Sequence, residues 1–278
     1  MSTTADALDL VILVLVSFLP ALIYLAWIRR TERYQQEAWG PVLGAFAYGA
    51  LFATIVAGIL ELLIVELGTA VSLKYPAPEF VFLNSSSPVG VFFLVLVVAP
   101  FVEEALKASG VAANRRRLRL IADGPVFGAS VGLGFGFFET FLYGLGAFLA
   151  GGLAAGIALI LIRSVSSVVL HGSSTGMFGY GYARSRFGVP GAGSGTYYLV
   201  AVGMHASFNA LASLAIILAL LGITGVAIDL ASLIALLAAI GFAFWAIEHV
   251  RDVIQSSDYP SIVKGSARFQ PRTPPGGR

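Results

Sequence analysis

About seven runs of 20 to 30 mostly apolar residues recur along the chain, and they constrain its fold more than any other feature. The hydrocarbon core of a bilayer is ~30 Å thick, and about 20 helical residues cross it. Of the 278 residues, 58% are hydrophobic and 12% charged, with a mean hydropathy of +0.88. A soluble domain carries about 25% charged residues. The chain therefore reads as an all-α, polytopic transmembrane helical bundle. It has no cysteine, which excludes disulfides and thiolate metal sites. Glu, Asp, His and Asn remain as candidate ligands. There are three histidines: His171, His205 and His249.

The expected spans are 8–28, 41–67, 89–113, 124–150, 153–182, 197–221 and 226–247. Asp6 and Asp9 flank the start of the first and Arg29-Arg30 follow it, the reverse of a signal peptide, so it reads as a retained helix. Gly151-Gly152 reads as a tight turn, and Gly128, Gly132, Gly134 and Gly136 as positions where helix backbones approach closely. With seven spans, fourteen of the 17 basic residues fall on one side and only Lys74 on the other, while Lys107 and Arg163 lie within spans. The positive-inside rule then puts the N-terminus outside and the C-terminus in the cytoplasm. Residues 1–250 form the expected bundle, with a functional core at about 89–222. Residues 251–278, polar and rich in Pro, Gly and Arg, are expected to be a disordered cytoplasmic tail. No internal repeat supports an inverted-repeat transporter.

Polar residues inside the spans carry the functional information. Glu103, Glu104 and Lys107 lie in the third span, with Lys107 at i+4 and i+3 from the acids. A charge at the bilayer centre costs roughly 2.5–3.5 kcal/mol on insertion scales. One amine neutralises one acid and leaves a carboxylate over. Glu139 is a further intramembrane acid, with Arg163 or Tyr143 as a partner for a packing hydrogen bond. Arg163, Ser166/Ser167, His171 and Ser174 form a polar stripe on the fifth span. His205 and Asn209 share a face of the sixth, one turn apart. Glu104, His171 and His205 fall at similar depth on three helices, and Glu139 lies slightly deeper. Structural polar residues have no reason to share a level, whereas a single site requires it. Glu61, Glu66 and Asp229 read as anchors near the outer boundary, and Glu248 and His249 as interfacial.

This constellation suits hydrolysis in two ways. A Glu and a His can hold a metal that acidifies water. Alternatively a buried Glu acts directly as general base. In either, His205 and Asn209 can donate to the oxyanion formed at a peptide carbonyl. Both routes need water in a cavity open to the cytoplasm. His-Glu-x-x-His is absent.

Glu103-Glu104-x-x-Lys107, Phe135-x-x-x-Glu139, the isolated His171 and His205-x-x-x-Asn209 together resemble the four motifs of PrsW-type intramembrane proteases. That family is related to the CAAX prenyl protease and bacteriocin-processing (CPBP) superfamily. Lys107 and Glu139 stand where the wider superfamily has Arg one position later and His, which favours the PrsW branch. The resemblance implies an intramembrane endopeptidase in a prokaryotic cell membrane. Its substrates would be membrane-anchored proteins, as with a single-span anti-sigma factor, and not nucleic acid. Carried over, Glu103, Glu104, Glu139, His171 and His205 form the catalytic centre, with Asn209 in support. Glu104, Glu139, His171 and His205 are the implied metal ligands. Zinc is the candidate cofactor, and metal and glutamate-only mechanisms both stay open. Two other readings compete: a non-catalytic, partner-binding member of the same fold, and a proton- or cation-coupled transporter.

Overall fold

The computed structural model describes residues 3–220, 222 and 224–258. Its elements are α1 (Thr3–Arg29), α2 (Trp39–Lys74), α3 (Pro88–Ala113), α4 (Asp123–Ser164), α5 (Ser167–Arg186), α6 (Ser194–Ala212), α7 (Leu214–Leu220) and α8 (Val226–Ser257). A short 3₁₀ turn, Pro78–Leu83, lies between α2 and α3. Both α2 and α3 contain a widened π-helical turn, at Tyr48–Ala53 and Leu94–Val98.

Five described stretches are long and apolar enough to cross a membrane: Ala7–Arg29, Trp39–Lys74, Pro88–Ala113, Asp123–Arg186 and Val226–Ser257. The sequence suggests about seven, and the difference has two sources. First, Asp123–Arg186 folds back on itself. Gly152 has φ 80° and ψ −177°, a conformation that glycine adopts without steric cost. Beyond it the chain returns, so that Gly156 packs against Gly144 and Phe148. Second, the expected span at 197–221 is divided at Ser213 between α6 and α7, and Leu221 lies outside the described residues. The return arm of α4 is also offset from α5 by non-helical backbone at Ser166 (φ −127°, ψ −80°).

The bundle exposes apolar side chains, packs others such as Leu25, Leu133 and Leu170 in its core, and buries its charged site groups among them. Leu62, Leu149 and Ile234 are exposed, while Glu103, Glu104, Lys107, Ser130, Thr175, His171 and His205 are buried. An apolar exterior matches hydrocarbon, and the interior collects the groups that hydrocarbon cannot solvate. The first part of α4 is the central post, buried without interruption from Asp123 to Gly136. Its glycines let α5 lie directly on its backbone. A Cβ on Gly128 would stand 2.2 Å from the Thr175 carbonyl oxygen, and one on Gly132 2.0 Å from that of His171.

The first residues of the expected tail, 251–257, are helical. Residues 251–257 continue α8, because Val250 and Ile254 extend its buried stripe by one more turn. Arg251 donates to Thr31 Oγ1 at 3.2 Å, and Asp258 accepts from the backbone N–H groups of Arg33 and Tyr34. Residues 259–278 of that tail lie outside the described residues.

Candidate active site

Three helices bring three side chains to one point. Glu103 comes from α3, His171 from α5 and His205 from α6. Each offers one ligand atom, and these atoms lie within 4.8 Å of one another. Glu103 Oε2 stands 3.8 Å from His205 Nε2 and 4.0 Å from His171 Nδ1. All three residues are buried. Glu103 Oε2 has no hydrogen-bond partner. A buried carboxylate oxygen without a donor is costly unless a cation answers it, and here the Lys107 ammonium stands 3.5 Å away, beyond the range of a good hydrogen bond.

The surrounding groups set the tautomers. Lys107 Nζ donates to Glu104 Oε1 at 2.7 Å and lies 2.8 Å from His171 Nδ1. An ammonium has no lone pair, so His171 Nδ1 accepts and the ring proton sits on Nε2. That Nε2–H donates to Glu139 Oε2 at 2.8 Å. His205 Nδ1 lies 3.1 Å from Glu104 Oε1. Since Glu104 is an acceptor, His205 donates through Nδ1 and keeps its lone pair on Nε2. Both histidines therefore face Glu103 with unprotonated nitrogens, and each is held from behind by a different carboxylate.

The carboxylates behind the histidines have their own anchors. Glu104 also accepts from Ser174 Oγ at 3.0 Å and Thr175 Oγ1 at 3.3 Å. Glu139 accepts from Arg163 Nη2 at 2.6 Å, and the same nitrogen donates to Ser167 Oγ at 2.9 Å. The Arg163 guanidinium stacks 4.0 Å over the Tyr143 ring. Lys107 Nζ lies 4.3 Å over the Phe135 ring, one turn before Glu139 on α4. Lys107 is fully buried, so its charge is balanced entirely by protein groups, Glu103 at 3.5 Å included.

Of the residues singled out by sequence, Glu103, Glu104, Glu139, His171 and His205 are joined in this network. Among the four offered as metal ligands, His171 and His205 converge, and they do so with Glu103. Glu104 and Glu139 contact the far nitrogens instead. Asn209 does not reach this centre. Its Nδ2 donates to Val95 O at 2.9 Å, within the π-helical turn of α3. Such turns displace a backbone carbonyl from regular helical bonding, and Asn209 pins α6 to that carbonyl.

Two further residues belong here. Thr175 follows Ser174 and completes the shell of Glu104. Glu61, expected near the outer boundary, interacts electrostatically with Glu103, Glu139 and Lys107, and its Oε1 is buried without a partner. A faint sequence signal existed for it. Ala53 and Ala57 pack against Phe135, and Glu61 is the next residue of that four-residue stripe.

Two histidines and one glutamate form a donor set that catalytic zinc sites use, with one position left for water or substrate. A ligating histidine commonly gives its other N–H to a carboxylate, and both histidines do so here. The residues present therefore fit a divalent metal. A family model described as PrsW family intramembrane metalloprotease matches residues 37–240, which include every residue of this centre. No curated protein and no solved structure matches the chain.

Proposed function

The chain belongs to the PrsW family of intramembrane metalloproteases, and on that premise we propose that Glu103, His171 and His205 form its hydrolytic centre. The observation that carries this is the convergence of three lone-pair-bearing atoms from three helices within 4.8 Å. As an intramembrane protease it acts on membrane-anchored protein in the bilayer. A single-span, anti-sigma-like protein in a prokaryotic cell membrane is the proposed substrate.

We assign the residues as follows. Glu103, His171 and His205 hold the metal, with zinc as the candidate; it would polarise the scissile carbonyl and acidify water. Glu103 is the carboxylate of the adjacent pair that faces the reacting atoms. Glu104 fixes His205 through Nδ1 and is itself neutralised by Lys107. Glu139, held by Arg163, fixes His171 through Nε2. Asn209 is a positioning residue that ties α6 to α3. This layout makes the order of the motif residues intelligible, since each charged group answers a specific neighbour.

The proposed topology has seven crossings. The two arms of α4 with α5 supply two, and α6 with α7 supplies the sixth. The basic loops then lie in the cytoplasm and the N-terminus outside. The bundle, expected over 1–250, would extend through α8 to Ser257, with the catalytic core at about 89–222.

The test is cleavage of a single-span reporter by the purified chain in liposomes. Wild type should cut it, chelator should stop the reaction and zinc should restore it. Glu103→Gln and His205→Ala should be inactive while still folded. Undiminished cleavage by both variants would overturn the assignment.

A further inference from the structure

A cavity of about 230 Å³ lies beside the catalytic centre, between the return arm of α4, the start of α5, the end of α6, α7 and α8. Arg163, Ser166 and Ser167 give it polar lining from α4 and α5, with Ser232 from α8, and Phe208, Ala215 and Leu236 contribute apolar lining. Two of these residues place it relative to the histidines. Ser167 precedes His171 by four residues on α5, and Phe208 follows His205 by three on α6. Its lining therefore includes residues about one helical turn, roughly 5–6 Å along the axis, from each histidine. Arg163 also bonds Glu139, which holds His171.

Its size and polarity select an occupant. An apolar cavity of about 150 Å³ accommodates benzene, so this one has room for a Leu or Phe side chain. A lipid tail has no use for a guanidinium whose Nε is buried without a partner. A peptide residue needs both parts, because its apolar side chain comes with a carbonyl that hydrocarbon cannot satisfy. We propose that this cavity is the specificity pocket, taking a large apolar side chain of the substrate's membrane segment next to the scissile bond. The peptide carbonyl of that residue would face Arg163, whose buried Nε has no partner, while the hydroxyls of Ser166 and Ser167 donate to Ile162 O and Glu139. This inference rests on the protease reading above.

The experiment uses the full chain in nanodiscs and single-span reporters carrying Ala, Leu or Phe at successive positions of the membrane segment. Products are mapped by mass spectrometry. Wild type should cut beside Leu or Phe at least ten-fold faster than beside Ala. Ala215→Phe and Ser232→Phe, which fill the cavity, should reverse that order. An unchanged preference in both folded variants would overturn the pocket while leaving the protease reading intact. A second arm needs no turnover. Benzoylphenylalanine placed at Leu236 should photo-crosslink to the reporter; crosslinks to lipid alone, or none, would overturn the pocket. Absence of cleavage by wild type would count against the protease reading, and the crosslink would still decide the cavity.

Discussion

Lys107 Nζ lies 2.8 Å from His171 Nδ1, the nitrogen that also faces Glu103. That nitrogen has one lone pair, and an ammonium and a metal cannot both use it. Metal binding must therefore shift Lys107 toward the two glutamates alone. Removing the amine leaves Glu103 and Glu104 buried without their counter-charge, a loss of about 3–5 kcal/mol for a broken buried pair. We predict that Lys107→Met unfolds at lower temperature than wild type when metal-free, yet binds zinc several-fold more tightly. Thermal unfolding and competition with a zinc chelator measure both. Zinc affinity at or below the wild-type value would show that the ammonium does not compete.

The two kinds of carboxylate should separate cleanly. Glu103→Gln removes a proposed ligand, so bound zinc should be lost. Glu104→Gln and Glu139→Gln remove partners behind the histidines, which typically costs 10–100-fold in metal affinity. Zinc content by elemental analysis at graded free zinc tests this order. Equal losses in all three would mean that the adjacent glutamates share one role.

Helix packing sets the position of His171. A Cβ on Gly132 would meet its carbonyl oxygen at 2.0 Å, whereas a Cβ on Gly146 would meet nothing within 4 Å. Gly132→Ala must push α4 and α5 apart, and overpacking of this kind costs about 1–3 kcal/mol. Cleavage by that variant should fall more than ten-fold. Gly146→Ala should be neutral, or stabilising by up to about 1 kcal/mol. Thermal unfolding and reporter cleavage of the pair would settle the comparison, with equal behaviour counting against the packing argument.

Stability should depend on pH through Glu32, in the loop after α1. Its side chain is fully buried, and burial, reinforced by the nearby Asp123, Glu37 and Asp258 charges, pushes its carboxyl up to about 9. A backbone bond from Glu37 opposes this only in part. The folded chain thus keeps a proton that the unfolded chain loses near its ordinary value of 4.5. This contribution to stability is fully present below that value and disappears as pH rises through the folded one. Glu32→Gln should flatten the fall in unfolding temperature between about pH 5 and 9. A slope identical to wild type would refute the assignment.

Much of the site is legible in the sequence. Helix periodicity alone puts Ser167, His171 and Ser174 on one stripe and His205 with Asn209 on one face. Counting along the spans brings Glu104, His171 and His205 to one depth. The turn at Gly151-Gly152 also follows from residue type, and Arg163 is one of the two partners that spacing offers Glu139, the one the structure selects. Composition misleads in one place, where residues 251–257 look like tail but continue the buried stripe of α8.

Sequence by itself determined that the chain is an apolar helical bundle and that its intramembrane charges come from a few helices at matching depth. Tertiary structure decided which of Glu103 and Glu104 faces the unprotonated nitrogens of both histidines, that Asn209 bonds Val95, and that Glu61 joins the field of the site. The reason is geometric. Adjacent helical residues differ by ~100° around the axis, and periodicity fixes that difference within one helix. It does not fix the rotation of one helix against its neighbours. That rotation is set where helices touch closely, at Gly110 of α3 against Tyr48 and Val131 and at Gly128 and Gly132 of α4 against α5, and packing of this kind turns one carboxylate of the pair toward the metal-capable centre.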